Sequence, residues 1–308
     1  MFEMVKVPFL KQTDAFELIN LNQLGLIHNW LSSQDSGASM QEIKRAISWP
    51  KADREMELFV SHKLIERDKR LYSSLVPEVS VERLKKLLEL ATTITAELSY
   101  YLLSEFPLLK NNPWLITYSV SRLKQKDLTR IIALPTKTVS PVMSTCQKCG
   151  HYLFIDIDGL DNKPIGLANY FSGLPITPKG QQLFEKLGDV NANYFLEMAG
   201  KQLSLIQDGQ QPRRSRSNIF IEALVAFDYI IETDHYHLTR KLSVIDKTEL
   251  ISGLDIIEKA IMNSLISHQR INEVEYDLLK ALVFNELLKR NQNTKEVIFL
   301  TENKQTSK

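Results

Sequence analysis

Residues 39–74 read SMQEIKRAISWPKADREMELFVSHKLIERDKRLYSS, and the order of elements in this stretch decides the fold. The Ser39 hydroxyl can accept the Glu42 amide while the Glu42 carboxylate reaches back to the Ser39 amide, a capping box that starts a short helix through Ile47. Ser48-Trp49-Pro50 makes a turn. A third helix, starting near Pro50 or Asp53, turns Met56, Phe59, Val60 and Lys63 inward. Leu64-Ile65-Glu66-Arg67, Asp68-Lys69 and Arg70-Leu71-Tyr72-Ser73 then read as strand, turn and strand.

Upstream, Phe16, Ile19, Leu24, Ile27 and Leu31 recur at helical steps and predict a first helix from Asp14 to Leu31. Three helices closed by a hairpin is the element order of a winged helix-turn-helix, which residues 14–75 resemble. Downstream, Ser80 caps a long helix to about Ser104 whose stripe of Val81, Leu84, Leu87, Leu88, Ala91, Ile94, Leu98, Tyr101 and Leu102 suits a connector or a dimer contact. Trp114–Val120 reads as extended, and Leu123–Leu134 as a helix or a strand pair. His151–Asp158 is a buried strand, and helices follow at Pro164–Phe171, Pro178 to Gly188, Asn191–Ile206 and Ser217–Phe227. Tyr229–Glu232 and Tyr236–Arg240 form a second hairpin, in which Leu224, Ile231, Glu232 and Asp234 echo Leu58, Ile65, Glu66 and Asp68 at one constant separation. Asp246 with Glu249 and Asn272 with Glu275 cap two amphipathic helices that end near Asn291 and can pair as a helical hairpin.

The expected class is therefore mainly α with small β-hairpins: an N-terminal winged-helix-like domain plus a helical C-terminal region. Its expected divisions are 1–78 for that domain, 79–112 for a connector helix, 113–211 for a mixed α/β domain, 212–302 for a second helix–hairpin unit with a helical hairpin, and 303–308 for a disordered tail. At 308 residues and 44% hydrophobic content the chain can build more than one core. Its 38 basic and 37 acidic residues leave a net charge of +1, so any cationic surface is local. No run approaches the roughly 18 to 20 apolar residues of a membrane helix. Residues 1–10 lack the pattern of a signal peptide, and two cysteines are too few for a disulfide framework, which makes the cytoplasm the expected compartment.

Leu167-Ala-Asn-Tyr-Phe-Ser-Gly-Leu, then LFEKLGDVNANY at 183–194 and RSRSNIFIEALVAFDYI at 214–230, resemble the core of domain-of-unknown-function family 1803, found mostly in streptococci and related lactic-acid bacteria. The likeness is clearest over 165–231, with Gly188-Asp189-Val190-Asn191 as its most specific string, and extends upstream to about residue 5. It implies a bacterial cytoplasmic protein with no established activity, so it carries over no catalytic residue. The Cys-x-x-Cys segment and the helices after residue 245 depart from the pattern.

Four constellations bear on chemistry. Cys146-Gln-Lys-Cys149-Gly150-His151 resembles one knuckle of a zinc ribbon, but a tetrahedral site needs more ligands, which only His151 or His235 and His237 could supply; the plain alternative is a turn with two ordinary thiols. Phe154-Ile-Asp156-Ile-Asp158-Gly159-Leu160 superficially matches the first motif of haloacid-dehalogenase-like phosphatases, whereas a strand entering an Asp-Gly turn explains the same residues. Arg213, Arg214 and Arg216 precede a helix N-terminus, where amides and dipole favour phosphate, though a solvated basic linker would look alike. Lys51 and Arg54 on the third helix and Arg67, Lys69 and Arg70 on the wing can meet phosphates, while Glu55 and Glu57 on the same helix oppose them. His28, His62 and His268 read as surface or satisfied side chains. No Walker, nucleophile-elbow or dinucleotide glycine pattern occurs. The leading expectation is a non-enzymatic regulatory protein that touches DNA. A protein-interaction scaffold, paired through its amphipathic helices, is the alternative, and a phosphatase-like enzyme the remote one.

Overall fold

The computed structural model describes residues 1–7, 19–34, 36–49, 52–126, 130–136, 139–158, 166–172, 178–212, 218–268, 271–290 and 295–302. The chain is mainly helical with several small sheets. It divides into two units: Met1–Ala96, Lys124–Pro141 and Leu265–Glu286 make the first, and Glu97–Leu123, Val142–Ser264 and Leu287–Lys308 the second.

The first unit opens with β1 (Phe2–Val7). Helix α1 (Leu21–Leu31) begins later than the apolar pattern suggested, because the Asn20 side chain accepts the Gln23 amide and caps it there; residues 14–18 lie outside the described residues. Strand β2 (Ala38–Ser39) follows Gly37, whose φ of +74° no L-residue adopts readily and whose Cβ would sit 2.9 Å from the Tyr72 carbonyl oxygen. Both halves of the capping box are present at the start of α2 (Met40–Ala46), with Glu42 N donating to Ser39 Oγ at 3.4 Å and Ser39 N to Glu42 Oε2 at 2.7 Å. Helix α3 (Ala52–Ser61) buries Met56 and Phe59. Lys63 is exposed with φ +55°, not inward as the periodicity suggested. It ends the helix in a Schellman motif, with Leu64 N bonded to Phe59 O and Lys63 N to Val60 O.

Strands β3 (Ile65–Asp68) and β4 (Leu71–Ser74) pair antiparallel, with β2 on the far side of β4. Their turn is Lys69-Arg70, one residue later than the sequence reading; Lys69 carries a φ of +56°. Leu24, Ile27, Ile43, Met56, Phe59 and Ile65 fill the core beneath.

Helix α4 (Val81–Glu105) buries Leu84, Leu87, Ala91, Ile94, Leu98 and Leu102 within the single chain, so most of the stripe expected for dimerisation is already spent; Val81 and Tyr101 remain exposed. After α5 (Leu108–Asn111) comes α6 (Trp114–Lys126), where an extended segment was expected. Its β-branched Ile116, Thr117 and Val120 favour extension locally, but Trp114, Leu115, Thr117 and Val120 are all buried. Helix hydrogen bonds satisfy that buried backbone, and Ser121 Oγ returns to Thr117 O at 2.9 Å. Strand β5 (Arg130–Pro135) pairs with β1, from Phe2 opposite Pro135 to Val7 opposite Arg130, a sheet the sequence reading missed.

In the second unit β6 (Met143–Cys149) and β7 (Tyr152–Asp158) form a hairpin around Gly150-His151. Helices α7 (Leu167–Tyr170), α8 (Pro178–Leu187), α9 (Ala192–Gln207) and α10 (Ile219–Ala226) follow, then β8 (Ile230–Glu232), β9 (Tyr236–Leu238), β10 (Ser243–Asp246), α11 (Lys247–Ile266), α12 (Glu273–Lys289) and β11 (Lys295–Thr301). The C-terminal region is thus not purely helical. Strand β11 lies in the sheet β10-β11-β7-β6, parallel to β10 and antiparallel to β7. Nor is α12 amphipathic: Leu278, Leu279, Ala281, Leu282, Val283, Phe284, Leu287 and Leu288 are buried around its whole circumference.

The internal echo is real in geometry but in a different register. Asp228, with φ +57°, ends α10 as Lys63 ends α3, and Tyr229 N bonds Leu224 O where Leu64 N bonds Phe59 O. Thr239 N closes on Tyr229 O as Leu75 N closes on Leu64 O. Buried Ile230, not exposed Ile231, therefore matches Ile65, one residue earlier than the residue identities suggested.

Candidate nucleic-acid interface

The outer face of α3 exposes Asp53, Arg54 and Glu57. All three carboxylates of this helix are tied back by the surrounding module. Lys44 Nζ reaches both oxygens of Asp53 at 2.8 Å, Trp49 Nε1 donates to Glu55 at 2.8 Å, and Arg67 of β3 pairs with Glu57 at 3.3 Å. Exposed ion pairs of this kind contribute only about 0.2 to 1 kcal/mol each. Lys44 and Arg67 offset the charges of Asp53 and Glu57, while the neutral Trp49 indole only orients Glu55. The guanidinium of Arg67 also lies 5.6 Å from the ring centroid of buried Tyr72, which fixes its position over the hairpin.

Against these paired groups stand Arg54, Lys63, Lys69 and Arg70, exposed and without an ion-pair partner among the described residues. Lys69 and Arg70 form the tip of the hairpin, Arg54 sits on the outer face of α3, and Lys63 stands at the helix–hairpin junction. Glu66 and Asp68 are exposed on the same hairpin, so the surface is cationic at its tip and mixed along β3. Sequence reasoning missed Lys63 by placing it on the inner side of the helix. The available signal was its position just past the helix end, where a left-handed residue points outward. Lys51, Arg213, Arg214 and Arg216 lie outside the described residues.

The Cys146/Cys149 pair does not have the geometry of a zinc knuckle. Both sit on β6 three positions apart, so their side chains leave opposite faces of the strand. Cys149 joins the core with Tyr152 and Phe154, whereas Cys146 is on the other side, bonded to Ser121. Burial pushes both thiols up to about 12, away from the thiolate a metal requires. His151 is exposed in the hairpin turn beside Phe299, and His235 and His237 are exposed on the second hairpin. Among the described residues no group of three or more His, Cys, Asp or Glu side chains could hold a metal ion.

Asp156, the first aspartate of the phosphatase-like string, is fully buried. Its Oδ2 accepts the Asn169 amide at 2.8 Å and its Oδ1 the Tyr229 hydroxyl at 3.1 Å, while Tyr229 Oη accepts the Leu167 amide at 3.2 Å. The carboxylate thus occupies the N-terminal amides of α7. A Cβ on Gly166 would lie 2.0 Å from Asp156 Oδ1, so only glycine fits there. Burial pushes Asp156 up to about 6, against the pull of the Asn169 amide, the Tyr229 hydroxyl, the Ala168 amide and the Lys295 charge. A group so enclosed joins β7 to α7 and cannot reach phosphorus on a substrate. Gly159 and Leu160 lie outside the described residues, as does the side chain of Asp158.

No helix among the described residues is long and apolar enough to cross a membrane. Compared with known proteins, the chain matches no family model, no curated protein and no solved structure.

Proposed function

We propose that residues 21–74 are a winged helix-turn-helix head through which this non-enzymatic regulatory protein holds double-stranded nucleic acid by its phosphates. The order α1, β2, α2, α3, β3, β4 supports the reading, with β2 closing the β3-β4 hairpin into a three-stranded sheet. In domains of this order the last helix of the turn enters the major groove and flanking cations fix its register on the backbone. The observation that carries the proposal is the division of charge: every carboxylate on α3 is tied by an internal partner, while Arg54, Lys63, Lys69 and Arg70 are left to solvent.

Anisotropy of a short fluorescent duplex, titrated with the full chain at several low salt concentrations, tests it. Wild type should bind with an affinity that falls steeply as salt rises. The double variant Lys69→Ala/Arg70→Ala should bind more weakly, with a salt slope reduced by about two. No binding at low salt, or binding insensitive to salt, would remove the proposal.

A further inference from the structure

We infer that Glu57 is a positioning residue for the nucleic-acid contact, an internal stand-in for a backbone phosphate that holds Arg67 over the wing and is exchanged for phosphate when a duplex docks. The inference rests on the reading just given and assigns to it one contact and one restraint.

Glu57 and Arg67 belong to different elements, α3 and β3, and meet across the junction between helix and wing at 3.3 Å. Both are open to solvent, with 67% of the Glu57 and 46% of the Arg67 side chain exposed, so a docking polyanion reaches the pair without any change in the fold. Arg67 is held on its other side by the ring of Tyr72 at 5.6 Å, and Tyr72 is itself buried. The guanidinium is therefore anchored from below and occupied from the side by one carboxylate. A carboxylate and a phosphate present the same pair of acceptor oxygens to an arginine fork, so the ligand can be swapped while the arginine stays in place.

The two other carboxylates of α3 do not share this arrangement. Asp53 is bound by Lys44 of α2, a flexible ammonium without a ring beneath it, and Glu55 by the neutral indole of Trp49. Only Glu57 holds a cation that the wing itself presents.

Exchange costs affinity, because Glu57 must give up its contact with Arg67 before Arg67 can engage a phosphate. Removing its charge should tighten binding, and the gain must pass through Arg67 if the inference is right. A double-mutant cycle reads this directly. Duplex affinity is measured for the full chain as wild type, Glu57→Gln, Arg67→Ala and the double variant, across a salt series, with thermal unfolding to confirm that all four fold alike. Glu57→Gln should bind about two- to fivefold more tightly than wild type, with a steeper salt dependence, and the gain should vanish in the Arg67→Ala background.

A gain that persists without Arg67 would overturn the inference, since Glu57 would then act on the phosphates directly. Wild-type binding left unchanged by Glu57→Gln would overturn it as well, and in both cases the nucleic-acid reading would stand. Failure of all four proteins to bind duplex at low salt would sink that reading, and the role of Glu57 with it.

Discussion

The chain contains two helix–hairpin modules built on one plan, α3-β3-β4 and α10-β8-β9, and they differ wherever chemistry is exposed. In each a left-handed residue, Lys63 or Asp228, stops the helix, and the next residue, Leu64 or Tyr229, is buried and feeds the hairpin. The first module completes its sheet with β2, whose Ala38 lies opposite Tyr72. The second has no third strand among the described residues. At the matching Tyr236, the side-chain amide of Gln211 takes the place of a backbone, accepting the Tyr236 amide at 2.8 Å and donating to its carbonyl at 3.2 Å. The first hairpin ends in Lys69-Arg70 and the second in Thr233-Asp234-His235, while the helix leading into the second is apolar or half-buried along its length. One scaffold thus serves two ends: the first module exposes unpaired cations on its helix and hairpin tip, whereas the second packs its helix against its unit and exposes Glu232, Asp234, His235 and His237 on its hairpin.

The strongest way to break this comparison is at the residue after the left-handed stop. Leu64 only packs, but Tyr229 also donates to buried Asp156 and accepts the Leu167 amide. Tyr229→Leu, which makes the second module like the first, leaves a buried carboxylate oxygen and an amide without partners and should cost about 3 kcal/mol in urea unfolding. A loss below about 1 kcal/mol would mean that the Asp156–Tyr229 link does not hold the second module in place.

A smaller effect tests the missing strand. Gln211→Ala removes two hydrogen bonds on Tyr236 and should destabilise by about 1 to 2 kcal/mol while speeding hydrogen exchange at the Tyr236 amide. Exchange at Tyr72 should not change. An unaltered rate at Tyr236 would show that the amide is not replacing a strand.

These relations mark the boundary of what was legible in the sequence. The helix–hairpin order at residues 39–74 was readable because capping box, turn and strands lie next to one another. The likeness of the second module is legible only through the identities of Ile65 with Ile231, Glu66 with Glu232 and Asp68 with Asp234, which set a buried residue against an exposed one. Strand register depends on which side chains are buried, and identity alone does not report that. Strands β1, β5 and β11 escaped for a different reason: their pairing partners lie far away in sequence, so no adjacent turn announces them. At the candidate interface, the cations are legible as types, whereas the tying of Asp53, Glu55 and Glu57 by Lys44, Trp49 and Arg67 needs the packing of α2 and β3 against α3.

Acid should move the two modules in opposite directions. His28 of α1 is buried against the first hairpin, 2.8 Å from Ser74 Oγ and 3.2 Å from Glu78, and burial lowers its pKa despite the pull of Glu78. The unfolded chain therefore binds the proton first as pH falls through 6.5, and the first module weakens. Asp156 is the reverse case. Its folded value of about 6 lies above the ordinary 3.8, so between these limits the folded state binds the extra proton and the second module gains stability as pH falls. Hydrogen exchange at pH 7 and pH 5, corrected for intrinsic rates, should show β4 less protected and β8 more protected at the lower pH. A shift of the same sign in both hairpins would contradict one of these assignments.

The smallest expected effect separates backbone strain from charge at the shared left-handed stop. An L-residue in this conformation costs about 1 kcal/mol, less for aspartate, whose short side chain bonds locally, and nothing for glycine. Lys63→Gly should accordingly stabilise the first module by about 0.5 to 1 kcal/mol, and Asp228→Gly should stabilise the second by less, because it also gives up the contact of Asp228 with Lys295 at 3.9 Å. The first substitution has a second consequence that the other lacks. It deletes an exposed cation at the junction of α3 and the β3-β4 hairpin, so under the proposed function a more stable protein should hold a duplex more weakly, with its salt slope reduced by about one. Stability and binding that rose together would show that Lys63 meets no phosphate, and that its only cost to the molecule is the strained backbone it tolerates.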